Sequence, residues 1–371
     1  MRTDPGWHEL LDAAVPKPES TADALSRLDQ AVARARRQRR ARLVAVPAAL
    51  AATAAVVLGL TTPWDSGHGG LNRITVGHPT PKAEGTDGLT GAVAYKCGNF
   101  ICLMAPDESN SRTLIATTPE WDPAWSPDGQ RLAFRGYYAT GDGAYAIYVV
   151  DADGCHLTRL PETDGGLTPT WSPDGTQLAF GPGRIQVINA DGSHLHAITN
   201  GGQEVNDRWT DSQPVWSSTG QIAFVRTPHN STAGQVYTMA PDGSQLTAIT
   251  HGHTGFAEPA WSPDGSQIAM VAVSYGSPTP PTAGQGQHAQ IEIRNADGSH
   301  RRLVSPPSWY SYAPTWTPDG RIVFLVDNGS TDAYIVNPDG SGLHRLYHDL
   351  GGTAGALQIT WSTSPLASPS C

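Results

Sequence analysis

The five-residue string WSPDG begins at Trp125 and returns at Trp171 and Trp261. Near-copies begin at Trp216 (WSSTG), Trp316 (WTPDG) and Trp361 (WSTSP). The six tryptophans stand 46, 45, 45, 55 and 45 residues apart. A period near 45 marks a repeat architecture in which no unit buries both of its faces alone, and this length suits one four-stranded propeller blade. The physics of one unit supports that reading. In Pro169–Thr199, SPDG has the chemistry of a type I turn: Ser opens it, Pro sets φ at the second position and Gly closes it. TQLAF and IQVIN then read as strands, ADGS as a tight hairpin turn and LHAIT as a last strand. The second turn recurs as DADGC, NADGS, APDGS, NADGS and NPDGS, with a degenerate copy, APDES, at Ala105–Ser109.

That degenerate copy lies in Gly91–Thr117, which has no Trp strand ahead of it, whereas Ala356–Pro365 has the Trp strand and nothing after it. The two fragments complete one blade. The expected fold is therefore an all-β, six-bladed propeller over residues 91–371, with the C-terminal strand closing the ring and leaving no open edge. The repeat tryptophans are expected to fill the gaps between blades. A Pro- and Gly-rich insert, Ser274–His288, accounts for the 55-residue interval and reads as a surface loop.

The first 90 residues differ in kind. Six arginines within Arg34–Arg42 precede Leu43–Leu60, an 18-residue stretch without charge. As a helix it would reach ~27 Å, close to the ~30 Å of a bilayer core. The arginines place the N-terminus in the cytoplasm and the propeller outside. Residues 1–42 thus read as a cytoplasmic tail with a basic amphipathic helix, 43–60 as a transmembrane helix, and 61–90 as a Gly/Pro-rich linker. The tail would either lie on anionic headgroups or dock a cytoplasmic regulator. Residues 1–60 carry a balance of +3, while the rest carries −13 of the total −10. An acidic body is a poor partner for nucleic acid.

The W-S-P-D-G turn, the L-A-F strand and the N-A-D-G-S turn resemble the WD40-like PD40 repeat of TolB-type propellers. The resemblance covers about residues 91–371 and implies a non-catalytic scaffold that binds an envelope protein, a peptide or a cell-wall glycan. No α/β domain precedes the propeller here, so a Tol-Pal role is not carried over. The G-x-S-x-G motif of propeller-bearing peptidases is missing. The tail–anchor–outer-domain layout is similar to that of actinobacterial membrane-anchored anti-sigma factors, which implies an alternative role as a transmembrane sensor.

Binding residues are sought where repeats differ. Three residues before each tryptophan stand Asp122, Thr168, Gln213, Glu258, Ala313 and Gln358. In the same loops lie Trp121, Trp209, Phe256, Trp309, Tyr310 and Tyr312, which either line the channel mouth or pack between blades. The candidate ligand contacts are Asp122, Gln213, Glu258, Trp309 and Tyr312. Asp122 and Glu258 also raise the alternative of a carboxylate pair for glycan cleavage. His251 and His253 form an H-x-H pair with no third metal ligand in view, and no cofactor or metal is expected. Cys97 and Cys102 flank a Gly-Asn turn and are expected to pair in an oxidising compartment; nothing fixes the distance between Cys155 and Cys371.

Overall fold

The computed structural model describes residues 88–115, 120–137, 145–200, 208–274, 288–327, 330–350 and 359–370. The expected tail and membrane helix lie outside these residues, as do all but the last three residues of the linker and most of the insert after Ser274. Among the described residues no helix is long and apolar enough to cross a membrane.

The chain forms six four-stranded antiparallel sheets, the blades of a propeller. Blade one is composite: Ile359–Ser362 from the C-terminus pairs with Ala92–Cys97, which pairs onward to Phe100–Met104 and Arg112–Ile115. Its register sets Trp361 opposite Val93 and Ile359 opposite Tyr95. The innermost strands of blades two to six are Glu120–Trp125, Leu167–Trp171, Trp209–Trp216, Gly255–Trp261 and Ser311–Trp316. Each touches the next around the ring. Four of the outermost strands have only two residues, so little unpaired edge is offered to another chain.

The turns form for the reasons their residues suggest. The Gly129 amide donates to the Ser126 carbonyl at 2.9 Å, and the same bond recurs from Gly175, Gly220, Gly265 and Gly320. All five glycines have positive φ, which a side chain would strain. The Asp of each S-P-D-G accepts a bond from its Ser, as in Ser172 Oγ to Asp174 Oδ1 at 2.6 Å.

Apolar residues are buried between the blades and not at the axis. One cluster joins Ala92, Ala94 and Leu103 of blade one to Trp125, Leu132 and Phe134 of blade two. Others join blades two and three through Trp171, three and four through Trp216, and four and five through Trp261. A larger one runs from blade five through six to blade one and contains Trp316. The indole N–H adds a tie to this packing. Trp171 Nε1 donates to the Ala124 carbonyl of the preceding blade at 3.1 Å, Trp261 to Val215 at 3.2 Å, and Trp316 to Ala260 at 3.0 Å. Trp216 bonds instead to its own turn, at Gly220.

Candidate site at the channel mouth

A cavity of about 490 Å³ occupies the axis, walled by the innermost strands. Asp122, Thr168, Gln213, Glu258 and Ala313 all line it. A shared backbone distortion puts them there. In blade two the inner strand spends one residue more than its neighbour just before the tryptophan; Trp121 pairs with Arg135, but the next pair is Ala124 with Ala133. The same shift recurs in blades three to six. It is a β-bulge. The five residues have φ of +59°, +50°, +52°, +53° and +50°, and each is followed by proline, which disfavours right-handed helical backbone in the residue before it.

The bulge turns these side chains toward one another. The Thr168 amide donates to Asp122 Oδ2 at 3.2 Å, the Glu258 amide to Gln213 Oε1 at 2.9 Å, and the Ala313 amide to Glu258 Oε2 at 2.6 Å. Wherever the residue carries a terminal oxygen that reaches the next blade, the ring is tied. Thr168 and Ala313 lack one. Asp122, Gln213 and Glu258 are therefore ring ties as well as lining groups, a role not visible in their identity alone. Burial pushes the Glu258 carboxyl up, against the pull of the Ala313 amide. Burial also raises Asp122, opposed by Arg135, the Thr168 amide and Lys96.

Several of the aromatic residues take the other course left open by the sequence and pack between blades. Tyr312 is buried in the cluster of blades five, six and one, and Trp309 packs against that cluster with its ring 4.5 Å from Tyr334. Neither lines the cavity. Phe256 is buried between blades four and five. Trp209 lies under the Arg226 guanidinium at 4.7 Å, and Arg226 clasps the buried Asp211 with bonds of 2.7 and 2.8 Å.

Sequence reasoning passed over two cations beside Asp122. Arg135 Nε stands 3.3 Å from Asp122 Oδ2, and Lys96 is buried at the end of its strand. The signal that could have found them is their shared place in the repeat, three residues beyond the partner of the blade's tryptophan. His251 and His253 are exposed, and no metal-binding group of three or more His, Cys, Asp or Glu occurs among the described residues. Cys97 and Cys102 are joined by a disulfide across the first hairpin, with Cα atoms 5.8 Å apart. Cys155 is also disulfide-bonded; Cys371 lies outside the described residues.

Comparison with known proteins places the repeats. No protein-family model matches the chain. TolB of Anaeromyxobacter dehalogenans is 32% identical over 167 residues, 44% of this chain and 35% of its own length. TolB of Alcanivorax borkumensis is 31% identical over 108 residues, 29% of this chain and 23% of its own. The chain thus spans about a third or less of the length of these relatives. Among solved structures, TolB from Acinetobacter baumannii superposes with a TM-score of 0.56 at 20% identity, covering 73% of this chain and 66% of that one. A chain of a nidogen/laminin complex reaches 0.57 at 13% identity, covering 74% and 99%. The fold recurs in both, while similarity in sequence runs to TolB: the chain carries a TolB-like six-bladed β-propeller.

Proposed function

We propose that this propeller is a binding module of the cell envelope, taking a protein, peptide or cell-wall component at the mouth of its channel. The carrying observation is the cavity itself. Its frame is uniform from blade to blade, while the lining residue changes from Asp122 through Thr168, Gln213 and Glu258 to Ala313. A repeated frame with non-repeated lining presents a specific pattern on a rigid ring. Similarity to TolB supports the envelope setting, and the arginine-flanked apolar stretch 43–60 supports a single-pass anchor with the propeller outside.

A photo-cross-linking residue in place of Thr170, which lines the cavity, tests this in intact cells. Capture of an envelope protein or wall fragment is expected there, and none from the same residue in place of exposed Leu246. Capture at the rim alone would overturn the assignment to the mouth. Pull-down of the full chain and of a chain lacking residues 1–33 from cross-linked cells tests the tail: the same partners from both fit an anchored binding module, and loss of a cytoplasmic partner would move the reading to transmembrane signalling.

A further inference from the structure

We propose that Lys96 and Arg135, beside the cavity-lining Asp122, form the anchor point for a carboxylate of an acidic peptide ligand. The inference deepens the binding role above and rests on it.

The register shows why these two side chains meet. Val93 pairs with Trp361 and Leu132 with Trp125, so Lys96 and Arg135 occupy the same place in blades one and two. The equivalent residues in blades three to six are Gly181, Val225, Val271 and Leu325. Only this corner of the ring holds cations at that level. Both sit on one aromatic ring: Lys96 Nζ is 5.2 Å and the Arg135 guanidinium 4.9 Å from the centre of Trp121. Tyr145, whose ring meets that of Trp121 edge-on, lies 5.2 Å from the Arg135 guanidinium. Such a platform fixes the cations without neutralising them.

Charge is not balanced here. Lys96 is 7% exposed and has no hydrogen-bonding or ion-pair partner among the described residues. Among the described side chains Asp122 is the single carboxylate beside the pair, and it already accepts the Thr168 amide and faces Arg135. These described groups, two cations and one anion, are short of one negative charge. Burial, then repulsion from Arg135, lowers the Lys96 ammonium, the direction expected of a buried cation short of a counter-charge. A ligand carboxylate supplies one charge and two acceptor oxygens, matching the deficit and the donors. A doubly charged phosphate would over-compensate beside Asp122. Lys96 and Arg135 do not themselves line the cavity, but Asp122 beside them does, so the chain of a ligand whose carboxylate reaches past Asp122 would lie against walls that include Pro123, Ala124 and Pro169. A peptide with an Asp, Glu or free C-terminus fits that description.

The test uses the full chain and a panel of fluorescent, end-capped hexapeptides made in pairs that differ only by Glu for Gln. Glu members are expected to bind about tenfold tighter than their Gln twins, the usual scale of one charge-assisted bond. Lys96→Met and Arg135→Gln should each erase that difference, and Lys96→Arg should keep it. Twins that bind equally would overturn the carboxylate site and leave peptide binding intact. A second probe stands apart from the panel: N-acetyl-glutamate α-amide, against neutral N-acetyl-glutamine α-amide, followed by the ¹⁵N signals of Lys96 Nζ and Arg135 Nε. A saturable shift with the acid alone supports the site even if no hexapeptide binds, in which case the peptide reading fails and the anion site stands. No shift with the acid overturns the proposal.

Discussion

Blades three, five and six and the closing blade share one repeat but are held by different means. Trp171, Trp261 and Trp316 each tie their blade to the preceding one through an indole bond to a carbonyl. On the two sides of the closing seam, Trp125 Nε1 and Trp361 Nε1 are buried and have no partner. The seam has other links, of a kind that also joins regular blades, as where Arg131 donates to the Gly175 carbonyl. Arg112 donates to the Ala152 carbonyl at 2.8 Å and the Tyr347 hydroxyl to the Pro106 carbonyl at 2.9 Å. The C-terminal tail crosses to blade two, where Ser364 Oγ donates to the Asp128 carbonyl at 2.8 Å and Ser370 bonds Asp153. Leu366 and Ala367 pack on the cluster between blades one and two along the way. Complete copies carry the indole tie at three of the four interfaces they share; between blades three and four Trp216 bonds its own turn instead. Where the split copy meets itself, the C-terminal tail adds contacts of its own.

The largest effect should separate these two kinds of interface. Trp316→Ala removes a buried ring and its bond, and should cost about 3–5 kcal/mol in denaturant unfolding. Trp361 is half-buried and unbonded, so Trp361→Ala should cost about 2 kcal/mol. Equal losses would mean the seam leans on its tryptophan as much as the regular blades do.

The Cys97–Cys102 disulfide belongs to the seam side of the comparison, because it staples the hairpin on which the C-terminal strand closes. It encloses a short loop, so its loss in the double change Cys97→Ala, Cys102→Ala should cost about 2 kcal/mol. The melting transition, followed with and without reductant, checks it. The wild type should shift with reductant by at least as much as the variant differs from it, since Cys155 is also bonded.

The sequence announces the regular part of the molecule better than the seam. A turn such as S-P-D-G is decided by local sterics within four residues, so every copy announces itself, and the spacing of the copies then counts the blades. Ring closure was legible because each defective copy lacked what the other had. The bulge that aims Asp122, Gln213 and Glu258 is not, since Gln and Glu do not favour positive φ and Asp does so only as an isolated residue; only the proline after each one hints at a constrained backbone. Tyr312 and Trp121 look alike in the sequence as aromatics before a tryptophan. One is buried between blades and the other carries two cations, and the difference comes from the neighbouring blade. The pairing of Lys96 with Arg135 appears only when the register aligns Val93 with Leu132, because the first blade has no tryptophan ahead of it in the chain.

The indole ties can be weighed apart from ring packing. Trp171→Phe leaves the Ala124 carbonyl without its donor, whereas Trp125→Phe removes an N–H that bonds nothing. The first change should cost about 1 kcal/mol more than the second in denaturant unfolding. If both cost the same, the bond adds nothing beyond the packed ring, and the contrast between regular and seam interfaces would rest on the tail and side-chain links alone.

The smallest effect concerns a residue that departs from the repeat at the seam itself. Glu108 fills the place that Gly154, Gly192, Gly243, Gly298 and Gly340 fill in the other second turns, and it keeps their left-handed backbone, with φ +62°. Its Oε1 is buried without a partner, and its carboxyl is pushed up to about 7, first by burial and then by the neighbouring Asp107. The folded protein therefore holds this proton more tightly than the unfolded chain does. The contribution of Glu108 to stability should be highest below the ordinary glutamate range, fall as pH rises toward 7, and level off above it. Glu108→Gly should relieve the backbone strain, gaining about 1 kcal/mol, and should also flatten that slope. Glu108→Gln keeps the strained backbone but loses the titrating proton, so it should flatten the slope without the gain seen at low pH. Unfolding measured from pH 4 to 8 for the three proteins resolves strain from charge. If the glycine variant gains nothing at any pH, the seam tolerates its irregular turn at no cost, and closure would depend on Glu108 no more than the regular blades depend on their glycines.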